Sequence, residues 1–335
     1  MNMDKHGSKN FLLRHETILF VALVAEWIFF DAVGHNFGTY DNSCDILRHS
    51  CEIGLLALAM TPIILTGGID LSVGSLLGLC AILFGKFWRD AGMPIPVAAV
   101  CTIGIGALAG GFNASLIAWL RLPPLIVTLG TFSLFRGLAE AITHGVDTFT
   151  DFPNSFLFLG QERWLGIPSQ APIFIFAAIF FWLLVHRTTF GRSFRAIGFS
   201  PEGTRFAGLP VARRVAMVYV LAGIVSAIAA IIYTARLGQA KADAGTGYEL
   251  FAITAVVLGG TSIFGGIGSI HGTVLGVAAI AVLHSGIAHA LLPGEMAGML
   301  TGVLLILALA GSILPKMISG LCARKSAPRL AKQIS

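Results

Sequence analysis

The sequence predicts an all-α, polytopic integral membrane protein with about ten transmembrane helices, and three observations predict it. Only 12% of the 335 residues are charged and 56% are hydrophobic, whereas a soluble domain carries about 25% charged residues. The mean hydropathy is +0.83. Long runs carry no Asp, Glu, Lys or Arg: 91–120, 164–185, 215–235, 250–294 and 296–315. A helix needs about 20 apolar residues to cross the hydrocarbon core, so the longest run supplies two crossings and the others one each. This composition excludes a disordered chain, a soluble enzyme and a collagen-like fibre. An outer-membrane barrel is excluded too, because its strands alternate apolar with polar residues.

In chain order the spans are expected at 17–36, 46–66, 71–87, 95–119, 123–143, 170–186, 213–235, 249–264, 270–290 and 296–314. The uncharged runs carry the fourth, sixth and seventh spans and all those after them. The remaining spans hold the few charges at membrane depth: Glu26, Asp31, Glu52, Asp70, Arg136 and Glu140. Glu26, Asp31 and Glu52 lie within reach of an interface. Arg136 and Glu140 are four apart and are expected to pair on one helix face. Asp70 is expected to act as a gate or as a loop-capping group, since an intramembrane carboxylate is functional by default.

An even number of crossings puts both termini on one side. With that side cytoplasmic, fifteen of the 22 Lys and Arg fall inside, in 1–16, at Arg121, in 187–214 and in 315–335. The positive-inside rule selects this orientation. The expected organisation is a cytoplasmic tail 1–16, a transmembrane domain 17–314 with a periplasmic loop 144–169 and a cytoplasmic loop 187–214, and a basic cytoplasmic tail 315–335. The net charge of +5 is thus a topology signal and not a nucleic-acid footprint. The first apolar stretch has no small-residue cleavage site and is expected to stay as a span.

Catalytic and metal signatures are missing from the sequence. The Gly85-Lys86 pair is followed by Phe87, so no phosphate-binding loop exists, and there is no G-x-S-x-G elbow. Cys44, Cys51, Cys80, Cys101 and Cys322 form no CxxC pair, and His284 and His289 lack ligand spacing. No cofactor is expected in this chain, and an ATP-driven process would need its ATPase on another chain.

The loop 187–214 holds six arginines and the triplet Ser200-Pro201-Glu202. Ser caps free amides, Pro fits the first helical position, and Glu opposes the positive end of the helix dipole. Gly208 then stops the helix. One or two turns of helix cannot persist in water alone, so this element must rest on the spans or on a partner.

Glycine occurs 40 times. Pairs spaced by four, such as Gly74/Gly78, Gly106/Gly110, Gly268/Gly272 and Gly272/Gly276, suit close helix packing in lipid. Two segments go further: 66–75, with Gly67, Gly68, Asp70, Ser72, Gly74 and Ser75, and 259–269, with Gly259, Gly260, Gly268 and Ser269. Each joins a Gly-Gly pair to a later [V/I]-G-S-x-x-G. Such breaks survive at membrane depth only where protein or a water-filled cavity covers them, and a break recurring in two parts of a transporter points to its pathway. Both segments fall between spans near the inner face, so tight re-entrant turns are the equal alternative.

The run TGGIDLSVGSLLGLCA (66–81) closely resembles the signature of ribose, xylose, rhamnose and autoinducer permeases, the membrane subunits of bacterial ABC importers. Asn113 after Gly110-Gly111, LPPLIVTLGTFSLFRG (122–137) with Thr128, GRSFRAIGFSPEGTRFAGL (191–209) and ELFAITAVVLGGTSIFGGIGSIHGTVLG (249–276) are similar to further family blocks in the same order. KADAGTGYELFAITAVVLGGTSIFGG (241–266) and FPNSFLFLGQ (152–161) look most like rhamnose-type permeases. The resemblance implies import of a monosaccharide, a pentose or methylpentose, across the bacterial inner membrane. It implies two permease chains, identical or sister, on cytosolic ATP-binding subunits that carry ATP and Mg, fed by a periplasmic sugar-binding protein. It further implies that 200–208 is the coupling helix, with Ser200, Pro201, Glu202, Thr204, Arg205, Phe206 and Leu209 facing the ATPase. The family often carries Asn where this chain has Phe199-Ser200, and Ser caps equally well. An ion-coupled secondary transporter is the alternative; it needs a buried carboxylate with the substrate, for which Asp70 is the candidate.

The orientation is testable in intact cells. A single cysteine placed within 200–208 should resist a membrane-impermeant maleimide added from outside and react once the membrane is opened. Labelling before opening would invert the topology.

Overall fold

The computed structural model describes residues 15–325; 1–14 and 326–335, with Lys5, Lys9, Arg14, Arg329 and Lys332 of the two basic tails, lie outside the described residues. The helices are α1 (His15–Val33), α2 (Tyr40–Leu65), α3 (Val73–Arg89), α4 (Ile95–Ala114), α5 (Pro124–Ile142), α6 (Asn154–Gln161) and α7 (Ala171–Trp182). They are followed by α8 (Thr189–Phe199), α9 (Pro201–Phe206), α10 (Val211–Leu237), α11 (Tyr248–Leu258), α12 (Ile270–His289) and α13 (Glu295–Lys325). α4 and α7 run on into π-helical turns, Ser115–Trp119 and Leu183–Arg187. Among the described residues, five helices are long and apolar enough to cross a membrane by themselves: α2, α4 with its π turn, α5, α10 and α12. α7 and α8, bent by 68° at their junction, make a sixth if taken as one span.

Every expected span holds a helix, with corrected ends. The described part of α1 starts at His15, and α2 begins at Tyr40, where the Thr39 hydroxyl accepts from the Asn42 amide at 3.3 Å and caps the helix. α11 stops at Leu258, six residues short of 264, because Gly259-Gly260 ends it. α13 continues past 314 to Lys325. The loop 144–169 is itself folded: it contains α6 and a small antiparallel hairpin, Arg163–Trp164 with Ile167–Pro168. Phe152 and Phe156 of this loop pack with Phe84, and the Phe149–Ala240 bridge ties the loop to the segment between α10 and α11.

α2 and α10 are the most enclosed spans and form the centre of the main hydrophobic cluster. Small residues set their spacing. A Cβ on Gly106 would strike the Gly223 carbonyl, one on Gly110 the Tyr219 carbonyl, and one on Gly223 the Gly106 carbonyl, so α4 and α10 touch backbone to backbone. Gly272 and Gly276 bring α12 equally close to α11, against Gly259 and Ala255. The Gly74/Gly78 pair instead faces the segment 242–249, where added carbons would meet Glu249, Gly245 and Ala244.

The buried charges find partners far along the chain. Arg236 at the end of α10 pairs with the fully buried Glu52 of α2 at 2.7 Å. Arg136 does not pair with Glu140; it donates to the carbonyls of Ala242 and Ala244 and so holds the α10–α11 segment against α5.

Gly223→Val should lower the melting temperature of the detergent-solubilised protein, since overpacking a close contact costs about 1–3 kcal/mol. Gly104→Val, two residues from Gly106 and so on the other side of α4 with open space around it, should leave the melting temperature within error of the wild type. Equal effects of the two would mean that α4 and α10 are not held by this contact.

Candidate translocation and coupling site

Five helices among the described residues stop in the same way, α5 and α12 with His144 and Leu291 as the left-handed residue and α2, α11 and α9 with glycine. At the end of α2 the Gly67 amide bonds the Ile64 carbonyl at 2.9 Å and the Gly68 amide bonds the Ile63 carbonyl at 3.1 Å. At the end of α11 Gly260 bonds Val257 at 2.9 Å and Thr261 bonds Val256 at 3.2 Å. At the end of α9 Gly208 bonds Arg205 at 2.9 Å and Leu209 bonds Thr204 at 3.2 Å. These are Schellman terminations, which need a left-handed residue after the cap, and Gly67, Gly260 and Gly208 hold φ of 83°, 85° and 81°.

Beyond Gly68 a polar network ties the first glycine segment down. Asp70 Oδ1 accepts from the amide and hydroxyl of Ser72 at 2.8 and 2.6 Å. Asn113 of α4 donates to the Ser72 hydroxyl at 2.9 Å, and Thr128 of α5 donates to the Ile69 carbonyl at 3.2 Å. Ser75 bonds back to the Ser72 carbonyl at 2.9 Å. Asp70, Ser72, Asn113 and Thr128, separated widely in sequence, therefore meet in one place, and Asp70 caps the loop. Tyr219 of α10 was not signalled by any motif, yet its hydroxyl abuts Gly68, where a Cβ would approach it to 2.5 Å.

The second segment is built differently after its Gly-Gly stop. Ser269 is the N-cap of α12, accepting from the Gly272 amide at 3.1 Å, whereas Ser75 sits inside α3. The two Gly-Gly halves are thus structurally equivalent and the two [V/I]-G-S halves are not. Gly268 packs against Thr261. The Ser269 hydroxyl also donates to Glu16, and His15 Nε2 donates to the Leu258 carbonyl at 2.8 Å, so the start of α1 rests on this segment. His15 and Glu16 were expected in a tail; their bonds are made across most of the chain and leave no local pattern.

The two segments touch. The Gly266 amide donates to the Leu65 carbonyl, the last residue of α2, at 3.0 Å. Gly198 of α8 lies on both: its Cβ would collide with Leu65 O and Gly266 N, and one on Gly265 would come 2.9 Å from Gly198 Cα and 3.0 Å from Gly67 N. Arg195 of α8 adds a bond to the Val185 carbonyl at 3.1 Å.

α9 starts three residues after Gly198. Ser200 is its N-cap, accepting from the Gly203 amide at 3.0 Å, with Pro201 in the first position and Glu202 in the first turn. Thr204 is buried and bonds back to the Ser200 carbonyl at 2.8 Å, so it holds the helix from below. Phe206 is 89% exposed and Leu209 is also on the surface. Pro201, Glu202 and Arg205 border a groove of about 650 Å³ that reaches Gly67, Gly68 and Tyr219.

The sequence profile of the family described as branched-chain amino acid transport system / permease component matches residues 42–309. The chain is 42% identical to the autoinducer 2 import system permease protein LsrD of Yersinia pseudotuberculosis serotype O:1b over 77% of this chain and 79% of that protein. It is 41% identical to LsrD of Yersinia enterocolitica serotype O:8 over 77% of this chain and 80% of that protein. No solved structure matches the chain significantly. The matched region takes in both glycine segments and α9, and the chain belongs to this family of transport permeases as a multi-pass inner-membrane subunit of an ABC importer.

Proposed function

We propose that this chain is the membrane-spanning subunit of an ATP-driven importer for autoinducer 2 or a related small sugar, with α9 as the element that docks on the ATP-binding subunit. The relatives' printed names move the expected substrate from a rhamnose-type sugar to autoinducer 2. The reading includes ten crossings, both termini and 187–214 in the cytoplasm, a second permease chain, and a periplasmic binding protein that delivers the substrate. The observation that carries it is the short helix α9, capped at both ends and presenting an almost bare Phe206. A single turn with an exposed aromatic ring has no reason to be held so firmly unless something covers it.

The adjacent geometry supplies the rest of the mechanism. Two residues separate α9 from Gly198, and Gly198 touches both glycine segments through backbone alone. A push on α9 therefore reaches the ends of α2 and α11 through rigid contacts. The polar network at Asp70 and Ser72 keeps the first segment in register with α4 and α5 while this happens. Asp70 directs one oxygen at Ser72 and serves the loop, which favours an ATP-coupled over an ion-coupled mechanism.

Reconstitution with the ATP-binding subunit and the binding protein tests the proposal directly: uptake should need ATP hydrolysis and survive collapse of ion gradients. Uptake driven by a gradient without ATP would replace this reading with the secondary transporter. Phe206→Asp should weaken ATPase docking by about 2 kcal/mol or more, roughly thirtyfold, as for a central apolar anchor. Arg205→Ala should cost less than about 1 kcal/mol, as for an exposed charge. Full copurification and substrate-stimulated hydrolysis with Phe206→Asp would remove α9 from the docking site. Gly68→Leu and Gly260→Leu should abolish uptake at normal membrane levels, because Tyr219 and His15 occupy the space an added side chain would need.

A further inference from the structure

At the end of the molecule remote from α9, a cavity of about 460 Å³ opens between the first half of α2, the end of α10, the start of α11 and the far half of α12. That volume lies within the range of small-molecule sites, about 300–1,000 Å³. Nine of its sixteen lining residues carry a polar side chain, although most of the wall is apolar. Such a lining is retained at membrane depth where it borders water or a polar solute.

Its charges cancel. Arg236 is paired with Glu52 at 2.7 Å, and Asp45 with Arg48 at 3.2 Å. What remains is a set of neutral hydrogen-bonding groups. Arg236 donates to His49 Nδ1 at 3.1 Å, so the imidazole proton sits on His49 Nε2. His289 Nδ1 donates to the Ser285 carbonyl at 2.9 Å, which in the neutral ring leaves Nε2 as an acceptor. No described residue hydrogen-bonds either of these second nitrogens. One imidazole therefore offers a donor and the other an acceptor, the pair that adjacent hydroxyl groups need. Tyr248 and Phe251 add aromatic faces to the same wall.

We infer that this cavity is a binding site for an uncharged polyhydroxylated solute, occupied by the transported molecule on its way into the membrane. The inference rests on the importer reading and adds where the solute lies and which groups receive it. Absence of net charge excludes an anion or cation as the fitting ligand. Arg236, held by the buried Glu52, and Tyr248 line the cavity next to the α10–α11 segment that Arg136 holds by its carbonyls.

The test uses the complete importer in proteoliposomes, with its five native cysteines replaced by alanine and Ala281, a small residue on the cavity wall, changed to cysteine. Membrane level and monodispersity in detergent report the folding of the Ala281→Cys permease, and ATP-driven uptake of autoinducer 2, D-ribose and L-rhamnose is measured with the wild type and the variant. A hydrophilic maleimide should then alkylate Ala281→Cys and block uptake, and a saturating concentration of the transported molecule should slow alkylation about tenfold. Sodium acetate should not protect. No alkylation means a dry cavity, alkylation without protection means an empty one, and equal protection by acetate means a charge site; each overturns the inference. If a probe is imported but does not protect, the importer reading stands and the cavity assignment fails. If none is imported with ATP, the importer reading fails and takes the assignment with it.

Discussion

In hydrocarbon no water exists to take up a free amide or carbonyl, so a helix can be broken there only where other protein groups receive its ends. That constraint shapes this chain. α2 and α11 each stop with a left-handed glycine that turns the last amides back onto the helix. What those turns leave over is used to join the two breaks: Leu65 O, at the end of α2, is met by the Gly266 amide from the loop after α11. Without that single bond the two glycine segments would be separate defects. With it they form one junction, on which α8, α9 and the start of α1 all rest.

A second layer is electrostatic. Charges at this depth persist only when paired or bonded to backbone, and the chain uses both solutions. Glu52 and Arg236 neutralise one another across α2 and α10, while Arg136 spends its guanidinium on carbonyls of a loop. Both sets bracket the segment between α10 and α11, fixing a stretch of irregular backbone that has few bonds of its own. α11, with 11 residues, is about 16 Å long at 1.5 Å per residue. That is roughly half of a hydrocarbon layer about 30 Å thick.

Much of this was legible in the residues, for identifiable reasons. Uncharged runs mark spans because a charge in lipid is costly, and Ser200-Pro201-Glu202 with Gly208 marks α9 because capping is a local matter. The Gly-Gly pairs marked the breaks correctly. The expected end of α11 overran because Ile263 and Phe264 prolong the apolar composition after the backbone has already turned at Gly260. The long-range polar contacts were not legible. Arg136 bonds carbonyls more than a hundred positions away, and a carbonyl carries no side-chain signature. Glu52 and Arg236 lie 184 positions apart, and the clean run 215–235 ends one residue before the arginine. Tyr219 looked like one more aromatic in a greasy helix, and its place against Gly68 depends on how α10 is rotated.

The contact of Gly198 with Leu65 and Gly266 has a genetic consequence. When two side chains meet, a bulky replacement on one can be rescued by trimming the other. Here the opposing atoms are a carbonyl oxygen and an amide nitrogen, which no codon change can shorten. Second-site suppressors of a defect at Gly198 are therefore closed off at its direct neighbours and must arise where whole helices can be shifted. The demand for glycine falls on position 198, while Leu65 meets it through backbone that any residue supplies.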